Sequence, residues 1–360
     1  MFLNGSLLDT VKHAYERRRK LRAGTQWLNS AEFDDTTVIA ALKESCLTHV
    51  RPINQPLILI SQPGRSGGTL LSQLFDGHPQ CFAYPFELKL NRVAKAHWPE
   101  SEQFHADPDR VFTLLVSETM HKLSREGYKK GAKNEQRVRF LYVASIHREI
   151  FLREFSATRD VNARRALDTY FSGFFNAWLD YGDWQNANAK KWITGFWPWL
   201  AADTDSIHRF FSDYPDGLLL SVYRDPVDWY ASAVRHPGIS RGFSSAEQAA
   251  NMWLLQNRAI LANRRNFPDR TRLISFARLV ADTPSVMNEL REYLGIDDFP
   301  TLTTPTFNGF PIASNSSFEG IAGVDTRVLE RTKHVPVDDV KIIRSLTDGH
   351  LAELEQSADF

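Results

Sequence analysis

The segment that begins at residue 57 constrains the fold of this chain more than any other. A continuous apolar run, Leu57–Ile60, precedes the turn residues Pro63 and Gly64, and a stretch with helical periodicity follows from Thr69 onward. A short apolar run between turn signals is typical of a strand that is buried on both faces. The pattern therefore predicts a strand, a glycine-rich turn and a helix, in that order.

Further apolar runs indicate that the rest of the chain continues in the same way. Helical patterns lie between several of them, and repeats and Pro/Gly-rich linkers are absent. The alternation predicts an α/β fold, with a single domain in which helices flank a central parallel sheet. The runs are Val138–Ala144, Trp192–Thr194, Leu218–Tyr223 and Leu273–Phe276.

The predicted domain covers residues 51–360, and a helical segment over residues 1–50 is expected to pack on its core. Two stretches, around 88–135 and 155–185, are longer than a strand-to-strand crossover requires and are predicted to be helical insertions. Aromatic side chains in the second insertion are expected to form core rather than to line an acceptor pocket. They are Tyr170, Phe171, Phe174, Phe175 and Trp178.

Charge and cysteine content limit what the protein binds. Lys plus Arg and Asp plus Glu both number 43, so no overall field attracts nucleic acid, and any anion site has to be local. Two cysteines, and eleven histidines without paired-ligand spacing, give no reason to expect a disulfide framework or a metal.

Hydropathy sets the expected location. No apolar window reaches the roughly 18 residues of a membrane span, and Met1–Leu8 is too short an apolar stretch for a secretory signal. We therefore expect a cytoplasmic protein without integral membrane association. The oligomeric state is left open.

The glycine-rich turn, Gln62-Pro63-Gly64-Arg65-Ser66-Gly67-Gly68-Thr69, is suited to a phosphate-type anion. Its glycines allow close approach of the backbone, and amide groups converge at the start of the helix. The pattern is not GxxxxGK[ST], because the lysine is missing and Arg65 comes early in the turn.

The turn resembles the 5′-phosphosulfate loop of sulfotransferases that use 3′-phosphoadenosine 5′-phosphosulfate (PAPS), whose Arg-Ser-Gly-Thr-Thr core follows the first strand. Gly68 stands where the first threonine is usual, so one hydroxyl contact to the 5′-phosphate is lost. The resemblance implies that the nucleotide contacts Arg65, Ser66, Gly67, Gly68, Thr69 and Leu70.

A second motif follows the run Leu218–Tyr223. In Arg224-Asp225-Pro226, the aspartate is placed to cap a helix that begins at the proline, and Ser232 comes two turns later. The pattern resembles the 3′-phosphate site of the same family. The alternative is that Arg224 pairs with Asp225 or Asp228 and that Ser232 only packs.

A third segment, Phe307–Phe318, resembles the loop that closes over the nucleotide in this family. Asn315, Ser316 and Ser317 are its candidate phosphate donors, and an ordinary surface loop explains them equally well.

The resemblance implies in-line transfer of a sulfuryl group from PAPS to a hydroxyl or amine, with 3′-phosphoadenosine 5′-phosphate (PAP) as the product. Arg65 is expected to stabilise charge on the leaving group. Glu87 is the first candidate for the base, since its offset from the loop is close to that of the catalytic Glu in the tyrosyl-protein branch. Apolar neighbours are expected to raise its pKa. His147 is the alternative, because some branches use histidine.

The acceptor is expected to be a small molecule, a sugar or an aromatic compound. Side chains that would stack on it, or else form core, are Trp192, Phe196, Trp197 and Trp199. Two other functions stay open: a P-loop kinase, which would need a divalent metal, and a non-catalytic nucleotide-binding protein on the same fold.

Overall fold

The computed structural model describes Glu16 and residues 35–88, 97–116, 118–129, 137–157, 161–182, 189–312 and 323–360. The chain divides into two compact units, Met1–Arg51 and Pro52–Phe360. In the first unit, helix α1 comprises Asp35–Thr48. The other elements named below belong to the second unit.

A five-stranded parallel sheet forms the centre of the second unit. Its strands are β1 (Leu57–Ile60), β2 (Cys81–Glu87), β5 (Trp192–Phe196), β6 (Leu218–Tyr223) and β7 (Thr271–Ser275). They lie in the order β2-β5-β1-β6-β7, and all neighbours pair in parallel. Two small antiparallel pairs are formed by β3 (Tyr128–Lys129) with β4 (Arg137–Val138) and by β8 (Thr306–Phe307) with β9 (Phe310–Pro311).

Helices connect the strands. They are α2 (Gly68–Leu74), α3 (Pro108–Leu115), α4 (Glu118–Glu126), α5 (Ala144–Ser156), α6 (Ala163–Ala177), α7 (Thr204–Asp213), α8 (Pro226–Ala233), α9 (Pro237–Ser240), α10 (Ala246–Asn266), α11 (Phe276–Ala281), α12 (Thr283–Leu294) and α13 (Val337–Ser357). Short 3₁₀ helices comprise Ser101–His105, Leu200–Ala202, Pro300–Thr303 and Thr326–His334. Within the described ranges, no helix combines the length and the apolar character that a bilayer crossing requires.

Strand β1 is buried on both faces, which confirms the prediction for this run. Leu57 and Leu59 belong to one hydrophobic cluster, and Ile58 and Ile60 belong to another. Because successive side chains of a strand point to opposite faces, the sheet separates two apolar layers. The predicted α/β architecture with a central parallel sheet is therefore present.

The aromatic residues of the second insertion form core, as predicted. Tyr170, Phe171, Phe174 and Phe175 lie on α6, Trp178 follows it, and all five are buried. They pack in the same cluster as Leu57 and Leu59.

The predicted strand over Val138–Ala144 is wrong. Only Val138 of this run belongs to a strand, β4, and α5 begins at Ala144. The run is apolar for another reason: Phe140 packs against the helical insertion, with its ring centroid 5.0 Å from that of Trp178.

Strand β2, by contrast, is an element that the apolar runs did not reveal. It contains Pro85, which lacks an N–H group and usually argues against a strand inside a sheet. Here β2 is at the edge, and its register with β5 shifts between Ala83 and Glu87. The edge position and the irregularity accommodate the proline.

Candidate functional site

Two loops meet at the carboxyl ends of the neighbouring strands β1 and β6. The chain leaves β1 toward β2 on one side of the sheet and leaves β6 toward β7 on the other. Open parallel sheets bind ligands at such a reversal of strand order. The loop of residues 61–67 after β1, called the glycine loop below, and the segment that starts at Arg224 after β6 lie at this point.

Aromatic side chains pack tightly against the glycine loop. A Cβ atom at Gly67, whose φ is 102°, would lie 2.5 Å from Cδ2 of Phe276, and one at Gly64 would lie 3.0 Å from Cε2 of Trp199. Arg65 adopts a φ of 71°, in the left-handed region that non-glycine residues rarely occupy. Such a conformation persists only where the surroundings enforce it.

Hydrogen bonds from the second motif enforce this conformation. Nη1 of Arg224 donates to the carbonyl oxygen of Arg65 at 2.9 Å, and Nε1 of Trp229 donates to the carbonyl oxygen of Gly64 at 2.9 Å. Nε1 of Trp253 in turn donates to the carbonyl oxygen of Arg224 at 2.9 Å. The two motifs predicted from the sequence are thus parts of one site.

Arg224 is buried and holds a bidentate ion pair with Asp228. Its Nε and Nη2 atoms lie 2.6 and 2.9 Å from the two carboxylate oxygens, and its Cζ atom lies 4.2 Å from the ring centroid of Phe276. Asp228 is in the first turn of α8, where Asp225 accepts hydrogen bonds from Val227 N and Asp228 N. The pairing with Asp228 that the sequence left as an alternative is therefore present, and Arg224 still lines a cleft at the site.

Arg65 contributes a second positive charge. Its Nε atom donates to Oγ of Ser232 at 3.2 Å, and no carboxylate of the described residues pairs with it. Burial and, to a lesser extent, the nearby charge of Arg224 lower the pKa of Arg65. Asp228 thus pairs with Arg224, and Asp325, which also lines the cleft, pairs with Arg327. Arg65 keeps a positive charge that an anion can compensate, so the site favours an anion.

The cleft has a volume of about 690 Å³, which includes the part open to solvent. Small-molecule sites usually have volumes of roughly 300 to 1,000 Å³. One part of its lining is polar or backbone, and the other is apolar. The polar part contains Gln62, Gly64, Arg65, Gly67, Gly68, Thr69, Arg224 and Asp325, and the apolar part contains Leu70, Phe196, Phe276, Val280, Val324 and Val328.

Glu87 lies at the same edge of the sheet as the glycine loop. It is the last residue of β2 and is in register with Phe196, which is in register with Ile60, the last residue of β1. Two strand spacings separate the Cα atoms of Glu87 and Ile60, which is about 10 Å. Its side chain is half-buried.

His147 lies on α5 in the core, and both of its ring nitrogens are occupied. Nε2 lies 2.9 Å from the carbonyl oxygen of Tyr170, and Nδ1 lies 2.7 Å from the hydroxyl of Tyr142. Since a carbonyl oxygen only accepts, Nε2 carries the proton and Nδ1 accepts from Tyr142. Burial lowers the pKa of His147 to about 3, although the bond to Tyr170 opposes this. Both ring nitrogens of His147 are therefore engaged inside the core.

The structure brings most of the predicted nucleotide residues together. Ser66 and Ser232 are buried beside the cleft and are not part of its lining. Asn315, Ser316 and Ser317 lie outside the described residues. The contributions of Gln62, Phe276 and Asp325 to the cleft were not predicted from the sequence motifs. A signal existed for the first two, since Gln62 closely follows β1 and Phe276 directly follows β7, and such positions meet at one sheet edge.

In the part of the chain that the structure describes, no group of three or more His, Cys, Asp or Glu side chains is arranged to hold a metal ion.

Comparison with known proteins identifies one matching family. A family described as the sulfotransferase family matches residues 56–300. This range begins just before β1 and ends after α12, so it contains all five strands of the sheet, the glycine loop and the Arg224 motif. No curated protein matches the sequence.

Several solved structures are similar in part. A sulfotransferase domain from the curacin biosynthetic pathway is 14% identical, with a TM-score of 0.49, and the match covers 81% of this chain and 96% of that domain. The sulfotransferase domain of the Synechococcus olefin synthase is 15% identical, with a TM-score of 0.44 and coverage of 82% and 95%. A sulfotransferase from Alicyclobacillus acidocaldarius is 14% identical, with a TM-score of 0.37 and coverage of 84% and 99%.

Proposed function

Because this chain belongs to the sulfotransferase family, we propose that it transfers a sulfuryl group from PAPS to a hydroxyl or amine group of a small acceptor. The family establishes the class of enzyme. The donor, the acceptor and the roles of individual residues are our proposal.

One observation carries the proposal: Arg65 is a half-buried cation that has no carboxylate partner among the described residues and lies beside a second guanidinium. Burying a cation that has no ion-pair partner, close to a second cation, is unfavourable unless a bound anion compensates its charge. A nucleotide with phosphate groups at both the 3′ and 5′ positions supplies such an anion. Its phosphates would be held by Arg65, Arg224, Thr69 and the amides of the glycine loop.

The apolar part of the cleft fits the rest of the donor. Phe276 presents an aromatic ring beside Arg224, and three valines lie in the same part of the lining. A purine base has large apolar faces and stacks on such rings. We therefore assign the polar groups of the cleft to the phosphates and its apolar part to the adenine.

PAPS, when bound, supplies a sulfuryl group on a good leaving group. Glu87 would accept the proton of the acceptor as the new oxygen–sulfur or nitrogen–sulfur bond forms. The bond between sulfur and the bridging phosphate oxygen breaks, and that oxygen leaves as part of PAP with the bonding electrons. Arg65 and the amides of the glycine loop would stabilise the resulting negative charge. Asn315, Ser316 and Ser317 are proposed as further phosphate donors.

The experiment is turnover of radiolabelled PAPS by the full chain with a panel of phenols, sugars, aliphatic alcohols and amines, in buffer with and without a chelator. We expect label transfer to at least one class at an equal rate in both buffers, because Arg65, Arg224 and amides meet the charge of the nucleotide. Loss of activity in chelator, restored by Mg²⁺ and accompanied by phosphate transfer from ATP, would instead show a kinase. Tight binding of PAP without any turnover would favour the non-catalytic alternative.

A further inference from the structure

The side chain of Gln62 explains why the glycine loop departs from the Arg-Ser-Gly-Thr-Thr pattern at Gly68. A Cβ atom at residue 68 would overlap with Nε2 of Gln62, and it would lie 2.6 Å from Cδ of Gln62 and 2.6 Å from Cε2 of Phe196. Carbon atoms do not pack this closely. A threonine therefore does not fit at residue 68 while Gln62 keeps this position.

The backbone of Gln62 is fixed by the sheet. Its carbonyl oxygen accepts from Trp199 N at 3.1 Å, and the preceding residue, Ser61, donates its N–H to the carbonyl oxygen of Leu220 at 3.0 Å. These bonds continue the pairing of β1 with its two neighbours past the end of the strand. Gln62 is only 1% exposed, and yet it lines the cleft. Its side chain is thus buried at the edge of the anion site.

The carboxamide oxygen of Gln62 lies in an energetically unfavourable environment. Its Oε1 atom is buried and has no hydrogen-bond partner among the described residues. Buried polar atoms without a partner are uncommon, and where they occur they ask for an explanation. Nε2 is the atom closest to the Cβ position of Gly68, which also lines the cleft. Since Oε1 is inaccessible, the NH₂ group is the polar part of the side chain that faces the cleft.

We propose that Gln62 contacts the nucleotide, and that its NH₂ group donates to the 5′-phosphosulfate in place of the hydroxyl that threonine would supply at residue 68. This role rests on the proposed function. The amide dipole points its positive end toward the anion, so the unpaired oxygen is a consequence of placing the donor. In this chain the donor comes from the end of β1 rather than from the start of α2.

The test uses Gln62→Ala, Gly68→Thr and the double variant, with PAP affinity measured by calorimetry. Gln62→Ala should weaken PAP binding about 10- to 100-fold, the usual effect of losing a hydrogen bond to a charged group. Gly68→Thr alone should bind weakly because of the overlap with Gln62. The double variant removes the overlap with Gln62, and once the ring of Phe196 turns away from residue 68 the threonine hydroxyl has room to replace the amide. It should therefore bind more tightly than either single variant.

Gln62→Met separates a ligand contact from a structural role. It keeps the volume but removes the donor together with the unpaired oxygen, so the melting temperature should stay the same or rise while PAP affinity falls. Gln256→Met is the matched control, because Gln256 is also buried and its Oε1 likewise has no hydrogen-bond partner in the described part of the chain, but it lies on α10 outside the cleft lining. It should keep wild-type affinity.

Either of two results would overturn the role of Gln62. One is that Gln62→Met binds PAP as tightly as the wild type, and the other is that the double variant binds PAP no more tightly than the single variants. If the wild-type protein still turns over PAPS, the proposed function stays intact. Failure of the wild-type protein both to bind PAP and to turn over PAPS would overturn the proposed function, and this role with it.

Discussion

Arg224 holds the glycine loop and lines the cleft at the same time. If it also binds the 3′-phosphate, the wild-type protein should bind PAPS far more tightly than adenosine 5′-phosphosulfate, which lacks that group. Arg224→Ala should weaken PAP binding by about one to two decades, because charge-assisted contacts are lost. Calorimetry with both nucleotides checks this.

Arg224→Lys keeps the charge without the fork that pairs with Asp228, and it should bind at an intermediate level. Equal affinity of the wild type for the two nucleotides would refute the 3′-phosphate assignment.

Glu87 and Arg65 should fail in different ways when they are substituted. Glu87→Gln keeps shape and hydrogen bonding but cannot accept a proton, so kcat should fall by roughly 10²- to 10⁴-fold with nucleotide affinity unchanged. Arg65→Ala should lose both affinity and rate, because the bound nucleotide and the transition state both need its charge. Steady-state kinetics and PAP titrations distinguish the two patterns. A near-normal Glu87→Gln, together with a selective loss of kcat in His147→Ala, would move the role of base to His147.

Residues of this site that belong to a recognisable motif could be predicted from the sequence. Residues that reach the cleft only because distant parts of the chain fold next to each other could not. Arg65 and Arg224 follow apolar strands, so the pattern itself places them at one sheet edge. Asp325 is an ordinary residue in the sequence, and it belongs to the cleft only because a late 3₁₀ helix begins beside it.

At the scale of elements, α8 carries both Asp228 and Ser232, and Asp225 fixes its first turn. Asp225→Ala removes the acceptor for two backbone N–H groups and a 2.7 Å ion pair with Arg344. The free energy of unfolding should fall by about 1 to 2 kcal/mol, as for other N-cap replacements. PAP affinity should fall as well, because the turn that holds Asp228 loosens. Denaturant unfolding and calorimetry measure the two effects.

Asp225→Asn keeps a capping oxygen and should retain most of the stability. A loss of stability as large as in the alanine variant would contradict the capping argument.

Strands buried on both faces were predictable from their apolar runs, as β1, β5, β6 and β7 illustrate. An apolar run is an ambiguous sign of a strand, because residues outside the sheet can also be apolar when they pack into the core. Residues 138–144 are apolar because Phe140 packs on the helical insertion, and β2 is interrupted by Pro85, which only an edge strand tolerates.

At the scale of the whole molecule, Asp168 links stability to pH. It accepts a hydrogen bond from the Tyr214 hydroxyl at 2.8 Å, and one of its carboxylate oxygens lies 3.5 Å from Nε of Arg164. Burial nevertheless raises the pKa of Asp168 from 3.8 to about 6. The folded protein therefore binds this proton more tightly than the unfolded chain, and the stabilisation is lost as pH rises from about 4 to beyond 6.

Asp168→Asn stays neutral at every pH and removes this loss. Relative to wild type, its free energy of unfolding should rise between pH 4 and pH 7, by roughly 3 kcal/mol if the whole shift is realised. Denaturant titrations of both proteins at several pH values measure this difference. The pH dependence that comes from the other titratable groups is common to both proteins and cancels. A difference that does not change with pH would contradict the raised pKa.

The alternation of runs and helical patterns was enough to predict the class of fold, because a βα repeat leaves few architectures open. The strand order was not predictable in the same way. It depends on which strands of similar composition pair: the chain goes from β1 to the edge strand β2, reverses direction there, and returns through β5 and past β1 to β6 and β7.

That order has a consequence for synthesis of the protein in the cell. The central strand β1 has neither of its neighbours in the sheet until late, because Leu57 pairs with Ile193 and Ile58 with Leu218. At roughly 5 to 20 residues per second, a ribosome needs on the order of ten seconds to produce those partners. During this interval four consecutive apolar residues with unpaired backbone groups emerge from the ribosome, and they are available to chaperones or to other nascent chains.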